Sequence, residues 1–166
     1  MDSSLNTGLP ADLDWSSLSW APYQSSPKFS YRIDYAIAVV EVDPDAGRID
    51  FLVRWEPEAY CHYHRHLGTT YAVVLDGEQH LREERPHETV TKVRTAGFGG
   101  LVPEGETHME RAGADGLTML FSTHAPDGRL FEVIDEDGEV MTTATISEFV
   151  DLIAVDAKRR AVGATR

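Results

Sequence analysis

The feature that most constrains this chain is a succession of short alternating runs cut by turn signals. "YRIDYAIAVVEV" and "RIDFLVRW" flank "DPDAG". "TTYAVVLDGEQHLREE" reads as two strands around a tight turn at Asp76 and Gly77. "ETVTKVR", "LTMLFSTH", "LFEVID" and "EVMTTAT" come next, separated by "GFGGLVPEGETH", "APDGR" and "EDG". Alternation sends successive side chains to opposite faces, so each run has one apolar face to bury. Many short strands with turns about every 8 to 12 residues bury those faces by closing into a sandwich or barrel. The expected class is all-β, and no repeat of solenoid type is present.

The two ends differ from this texture. Residues 1–28 are rich in Ser, Pro, Asp and Trp without a period, and read as an extended N-terminal arm anchored by Trp15, Trp20 and Tyr23. Residues 29–143 carry the strand pattern. In 144–166, Thr145 and Glu148 form a capping box. Ile146, Phe149, Val150, Ile153, Ala154, Ala157 and Ala161 follow helical spacing. A C-terminal helix packing on the barrel or on a partner subunit is expected, and with the aromatic arm it suggests a homo-oligomer, a homodimer or tetramer.

Composition narrows the partners. Asp and Glu number 28 against 15 Lys and Arg, for a net charge of −13. Such a surface repels phosphate backbones, so nucleic acid is not expected as a partner. The apolar runs are too short to span a bilayer, and the N-terminus lacks a signal pattern, so a cytoplasmic protein without membrane contact is expected. A single cysteine, Cys61, excludes an intrachain disulfide. On a strand Cys61 alternates with His62 and would be a small buried hydrophobe facing away from it.

The stretch "CHYHRHLG" carries three histidines, His62, His64 and His66. Residues two apart on a strand share a face, so His62 and His64 are expected to converge on one ion. His66 would lie ~13 Å from His62 along a straight strand and is placed on the pocket wall or the surface. A third ligand, His108, comes after a turn built on Pro103 and Gly105.

These residues resemble the two motifs of the cupins, small β-barrel proteins. The first motif reads G-x5-H-x-H-x(3,4)-E-x6-G. His62 and His64 supply its histidine pair and Gly77 its closing glycine, with Glu56 in place of the opening glycine. The second reads G-x5-P-x-G-x2-H-x3-N, matched by Gly97, Pro103, Gly105 and His108, with Ala112 in place of the asparagine. Counting back from Gly77, Thr70 holds the place of the motif's metal-binding glutamate, and the intervening segment is one residue too long. The resemblance implies a single RmlC-like jelly-roll barrel and a metal site of His62, His64 and His108.

Three imidazoles suit Fe, Zn, Cu or Ni and leave positions open for substrate. A three-histidine set resembles the iron dioxygenases that cleave acetylacetone or 2,4'-dihydroxyacetophenone, and "LFEVIDEDGEV" resembles their post-barrel segment. This second resemblance implies an Fe(II) oxidoreductase using O2 to cleave a C–C bond of a small β-dicarbonyl or hydroxyketone. A Zn- or Ni-dependent lyase, hydrolase or isomerase, and a non-enzymatic binding module, are the competing readings. His66, Thr70, Tyr71, Phe98 and His124 are the candidate pocket residues. Phe51, Trp55 and Phe121 read as core, and Glu104 and Glu106 as exposed or as hydrogen-bond partners of a ligand histidine.

Overall fold

The alternating runs pair into one curled antiparallel sheet. The structure, a computed structural model, describes residues 17–25 and 27–153. Ten strands lie among them: β1 (Ala21–Gln24), β2 (Asp34–Asp43), β3 (Arg48–Trp55), β4 (His64–His66), β5 (Thr69–Arg85), β6 (Glu88–Thr95), β7 (Gly99–Val102), β8 (Thr107–His124), β9 (Arg129–Ile134) and β10 (Val140–Thr145). A helix, α1, begins at 146 and runs to the last described residue, 153.

β8 organises the sheet. Its whole length pairs with β5 on one side. On the other side its C-terminal half pairs with β3 and its first two residues with β4. The spatial order β1-β2-β3-β8-β4-β9-β10 then runs across the sheet, with β6 and β7 hanging from β5. Inward residues of this sheet, among them Phe51, Val53, Trp55, Val74, Met119 and Phe121, form a common core. The all-β architecture and the C-terminal helix expected from the sequence are both observed.

Two local expectations change. Asp76 and Gly77 do not turn a hairpin. β5 runs straight through them and shifts register against β8 on either side. Gly77 has a φ of 77°, and a Cβ there would run into the carbonyl oxygen of Gly116. A glycine is needed where two backbones close on each other at a bulge, and the same dipeptide serves a tight turn. The reversal falls instead between Arg85 and Glu88, where β5 passes into β6. The second change is in the arm. Residues 21–24 are strand β1, paired with β2. Tyr23 stacks on Tyr35 at 5.1 Å, and the Arg54 guanidinium lies 4.5 Å over the Trp20 ring. Trp15 lies outside the described residues, as do Ala154, Ala157 and Ala161.

The capping box forms as expected. The Thr145 backbone N–H donates to Glu148 at 2.8 Å, and the Glu148 N–H donates to the Thr145 hydroxyl at 3.3 Å. This fixes the helix start, so that Ile146 and Phe149 are buried, with Phe149 stacked on Phe51 at 5.9 Å. The described part of the helix therefore packs on its own barrel.

Candidate metal centre

The site is built where β4 meets β8. His64 of β4 lies directly opposite His108 of β8. His66, two residues on, shares the face of His64 because side chains alternate along a strand. The three rings converge: Nε2 of His66 is 3.2 Å from Nε2 of His64 and 3.2 Å from Nε2 of His108. Their ligand atoms lie within 4.8 Å of one another.

His62 is not among them. The strand begins at His64, so His62 sits on the irregular segment before it and the alternation rule does not link the two. Its Nδ1 meets the Tyr35 hydroxyl at 2.8 Å, and its ring packs edge-on against Phe29 and Tyr35. The structure thus gathers His64, His66 and His108, where sequence spacing pointed to His62, His64 and His108.

A shift of two residues also tidies the motif. Taken from His64 and His66, the first pattern places Thr70 at the glutamate's spacing with no extra residue, and puts Glu58 rather than Glu56 where the opening glycine would be. Glu58 has a φ of 60° and is the one non-glycine among the described residues with a positive φ. A glycine adopts that conformation without strain, which is why a glycine position can be read there.

Every ring has its other nitrogen occupied. Nδ1 of His64 donates to the His62 carbonyl at 2.8 Å. Nδ1 of His66 meets the Thr70 hydroxyl at 3.1 Å, which in turn contacts Thr123 at 2.9 Å. Nδ1 of His108 meets Glu106 at 2.8 Å. Partners of this kind fix the tautomer and aim the opposite nitrogen at an ion. Nε2 of His66 stands 3.2 Å from each of the other two, a separation at which neutral ring nitrogens repel unless a proton or a metal ion lies between them. A metal about 2.1 Å from each nitrogen would set them about 3.0–3.4 Å apart, so the donor set fits a divalent ion.

The electrostatics agree. Burial lowers His64 to about 4 and takes His66 well below the usual range, so both are neutral donors. His108 differs. Burial works against its charge, yet the carboxylates of Glu110 and Glu106 outweigh it and push the ring up to about 9. Without a metal the positive charge of the cluster is a proton on His108, and an ion binding there takes the proton's place.

A carboxylate and a thiol complete the cluster. Glu110, two residues after His108 on the same face of β8, is 2% exposed. Its Oε1 is 3.3 Å from His108 Nε2, and its Oε2 accepts from the Cys61 thiol at 2.8 Å. Cys61, His64 and Glu110 form a second group with ligand atoms within 4.8 Å. Cys61 is buried as expected, but it faces the site because its segment is not strand.

The cluster opens on a small, mainly apolar cavity. Tyr35, Ile37, Phe51, Val53, Trp55, Phe121 and Phe131 form its walls, with Cys61, His62, His64, His66 and Glu110 at the polar side. Phe51, Trp55 and Phe121 are thus core and pocket at once. Trp55 Nε1 is the one buried side-chain polar atom without a partner among the described residues. Of the remaining candidates, Thr70 and His66 are buried at the site. Tyr71 is 51% exposed, and Phe98 lies under Arg94 at 4.3 Å, both away from this cavity. His124 ends β8 exposed.

No family model and no curated protein matches this sequence. Solved structures do match in shape. An RmlC-like cupin protein from Ralstonia eutropha JMP134 superposes with a TM-score of 0.63 at 18% identity, over 89% of this chain and 86% of that one. A cupin 2 conserved barrel domain protein from Rhodopseudomonas palustris gives 0.60 at 16%, over 74% and 81%. The chain has the cupin fold. An acetylacetone dioxygenase from Acinetobacter johnsonii shares that cupin barrel, with a TM-score of 0.63 at 14% identity over 80% of this chain and 83% of the other. In this cupin barrel the histidine cluster stands on the strand pair β4–β8, and no described helix is long and apolar enough to cross a membrane.

Proposed function

We propose that the protein is a metal-dependent oxygenase that cleaves a C–C bond in a small β-dicarbonyl or hydroxyketone. The observation that carries this reading is the meeting of three imidazoles, two of which, His64 and His66, line an apolar cavity. His64, His66 and His108 would hold the ion, with Fe(II) the metal of choice and Zn or Ni as alternatives. A bound ferrous ion supplies Lewis acidity toward two substrate oxygens and a partner for O2. The protein's own groups do the rest. Glu106, Thr70 and the His62 carbonyl hold the ligand rings in register. The walls of Phe51, Val53, Phe121 and Phe131 exclude water and suit a compact, largely apolar substrate body. Trp55 contributes an N–H with no protein partner, suited to a substrate oxygen.

The shared barrel with an acetylacetone dioxygenase supports the reading without deciding the substrate, since one fold hosts many chemistries. Subunit assembly into a homodimer and a cytoplasmic location are part of the same proposal. The test is direct. Protein loaded with Fe(II) is mixed anaerobically with acetylacetone or a hydroxyacetophenone, then with O2. A visible charge-transfer band and then O2 uptake are the expected result. Turnover that persists with Zn(II) in the absence of O2 would instead favour a lyase, hydrolase or isomerase on the same histidines.

A further inference from the structure

Glu110 is a buried carboxylate whose ion-pair partner among the described residues is an imidazole, His108. It is 2% exposed, and no lysine or arginine among the described residues forms an ion pair with it. Its contacts are the Cys61 thiol, held at one oxygen, and His108 Nε2, which faces the other. A charge removed from water in this way needs a cation close by. The nitrogen it faces is the one His108 turns toward His64 and His66. The motif position that carries a carboxylate in the cupin pattern holds Thr70 instead, and Thr70 is spent on His66 and Thr123. β5 thus carries a threonine and no acid at that position, and β8 carries an acid two residues beyond its histidine.

We infer that Glu110 is the acid of this metal centre, a fourth protein donor supplied by β8 in place of the residue that Thr70 replaces. Its oxygen stands 3.3 Å from His108 Nε2 and in one group with Cys61 and His64, outside the group of three histidines, so a turn of the side chain toward the three Nε2 atoms would bring it onto an ion held there. Cys61 acts as the positioning residue: its thiol fixes one carboxylate oxygen and leaves the other for the ion. The centre would then carry a net charge of about +1 rather than +2 on a divalent ion, and a six-coordinate ion would keep two positions open, enough for a bidentate ligand. This inference rests on the metal-binding half of the proposed function and not on the reaction.

The test uses the full chain loaded with cobalt(II), with azide as the anionic probe. In Glu110→Gln the side chain keeps its size and loses its charge. Cobalt affinity, measured by competition with a chelator, should fall about 10–100-fold. Azide should bind the remaining cobalt more tightly, because a negative charge beside the ion is gone. Unchanged affinities for both overturn the inference. Weaker cobalt binding with unchanged azide affinity also overturns it, since that is the result of a residue that merely braces His108. Should the variant fail to fold, infrared difference spectra decide. Zinc binding to Glu106→Gln protein must shift a carboxylate stretch, and changes confined to imidazole bands would count against Glu110. Neither readout involves turnover. Cobalt held through Glu110 in a protein that consumes no O2 sinks the oxygenase reading alone. O2 consumption with unmoved Glu110 readouts sinks this inference alone.

Discussion

Glu83 and Glu110 are both buried carboxylates, on the paired strands β5 and β8, and they live by different rules. Glu83 has its counter-charges fixed beside it. Arg85 donates to one oxygen at 2.6 Å and Lys92 to the other. Those hydrogen bonds, from Arg85 first, outweigh the burial and lower its pKa to about 2. Glu110 has only a thiol and an imidazole. Burial alone would raise it, and the positive charge on His108 is what holds it well below the ordinary range. A carboxylate with fixed basic partners is structure. The counter-charge of Glu110 is an imidazole of the histidine cluster, the setting that the proposed metal would share. The difference separates the two regions more sharply than burial does.

The comparison can be broken in four ways, taken from the largest expected effect. Zinc at about a thousand times its Kd should stabilise the folded chain by about 4 kcal/mol. That stabilisation should survive in Glu83→Gln and vanish in His66→Ala, as read by thermal melts with and without zinc. Next, Glu106→Gln removes the acceptor on His108 Nδ1 and should weaken metal binding about 10–100-fold by chelator competition. Loss of the same size in Glu83→Gln would erase the distinction between the regions.

The third concerns acid. Because the folded-state pKa of Glu83 is depressed, its contribution is full above the ordinary value of 4.5 and is lost as pH falls toward about 2. Urea melts between pH 5 and 2 should show a shallower decline in Glu83→Gln than in the wild type, from a lower starting stability. An unchanged slope would mean that the Arg85 and Lys92 contacts do not persist in solution. The smallest effect belongs to His62→Ala, whose metal affinity should stay within about twofold of the wild type, as for a substitution outside the ligand set.

Much of the fold was legible because alternation and turn residues act locally. The capping box at Thr145 and Glu148 is a purely local pattern and formed as read. Asp76–Gly77 failed for the opposite reason. The local signal says only that the backbone takes a positive φ, and pairing with β8 decides between a turn and a bulge. The histidine pair depended on one strand boundary. A strand starting at His64 makes His64 and His66 neighbours, and a strand reaching back to His62 would have made His62 one of the pair.

The motif spacing held the clue. Only the later pair brings Thr70 to the acid's position without an extra residue. Glu110 was missed because no local pattern marks it. Its one signal was a spacing of two from His108, which puts both on the same face of a strand. Trp55 read as core from the sequence, and its unpartnered Nε1 is a property of packing that no local pattern shows.

The most direct measurement is the metal content of purified, untagged protein, with His62→Ala and His66→Ala beside the wild type. Close to one divalent ion per chain is predicted in the wild type and in His62→Ala, with loss of the ion in His66→Ala. An ion kept by His66→Ala and lost by His62→Ala would contradict the assignment of His64, His66 and His108 as the centre.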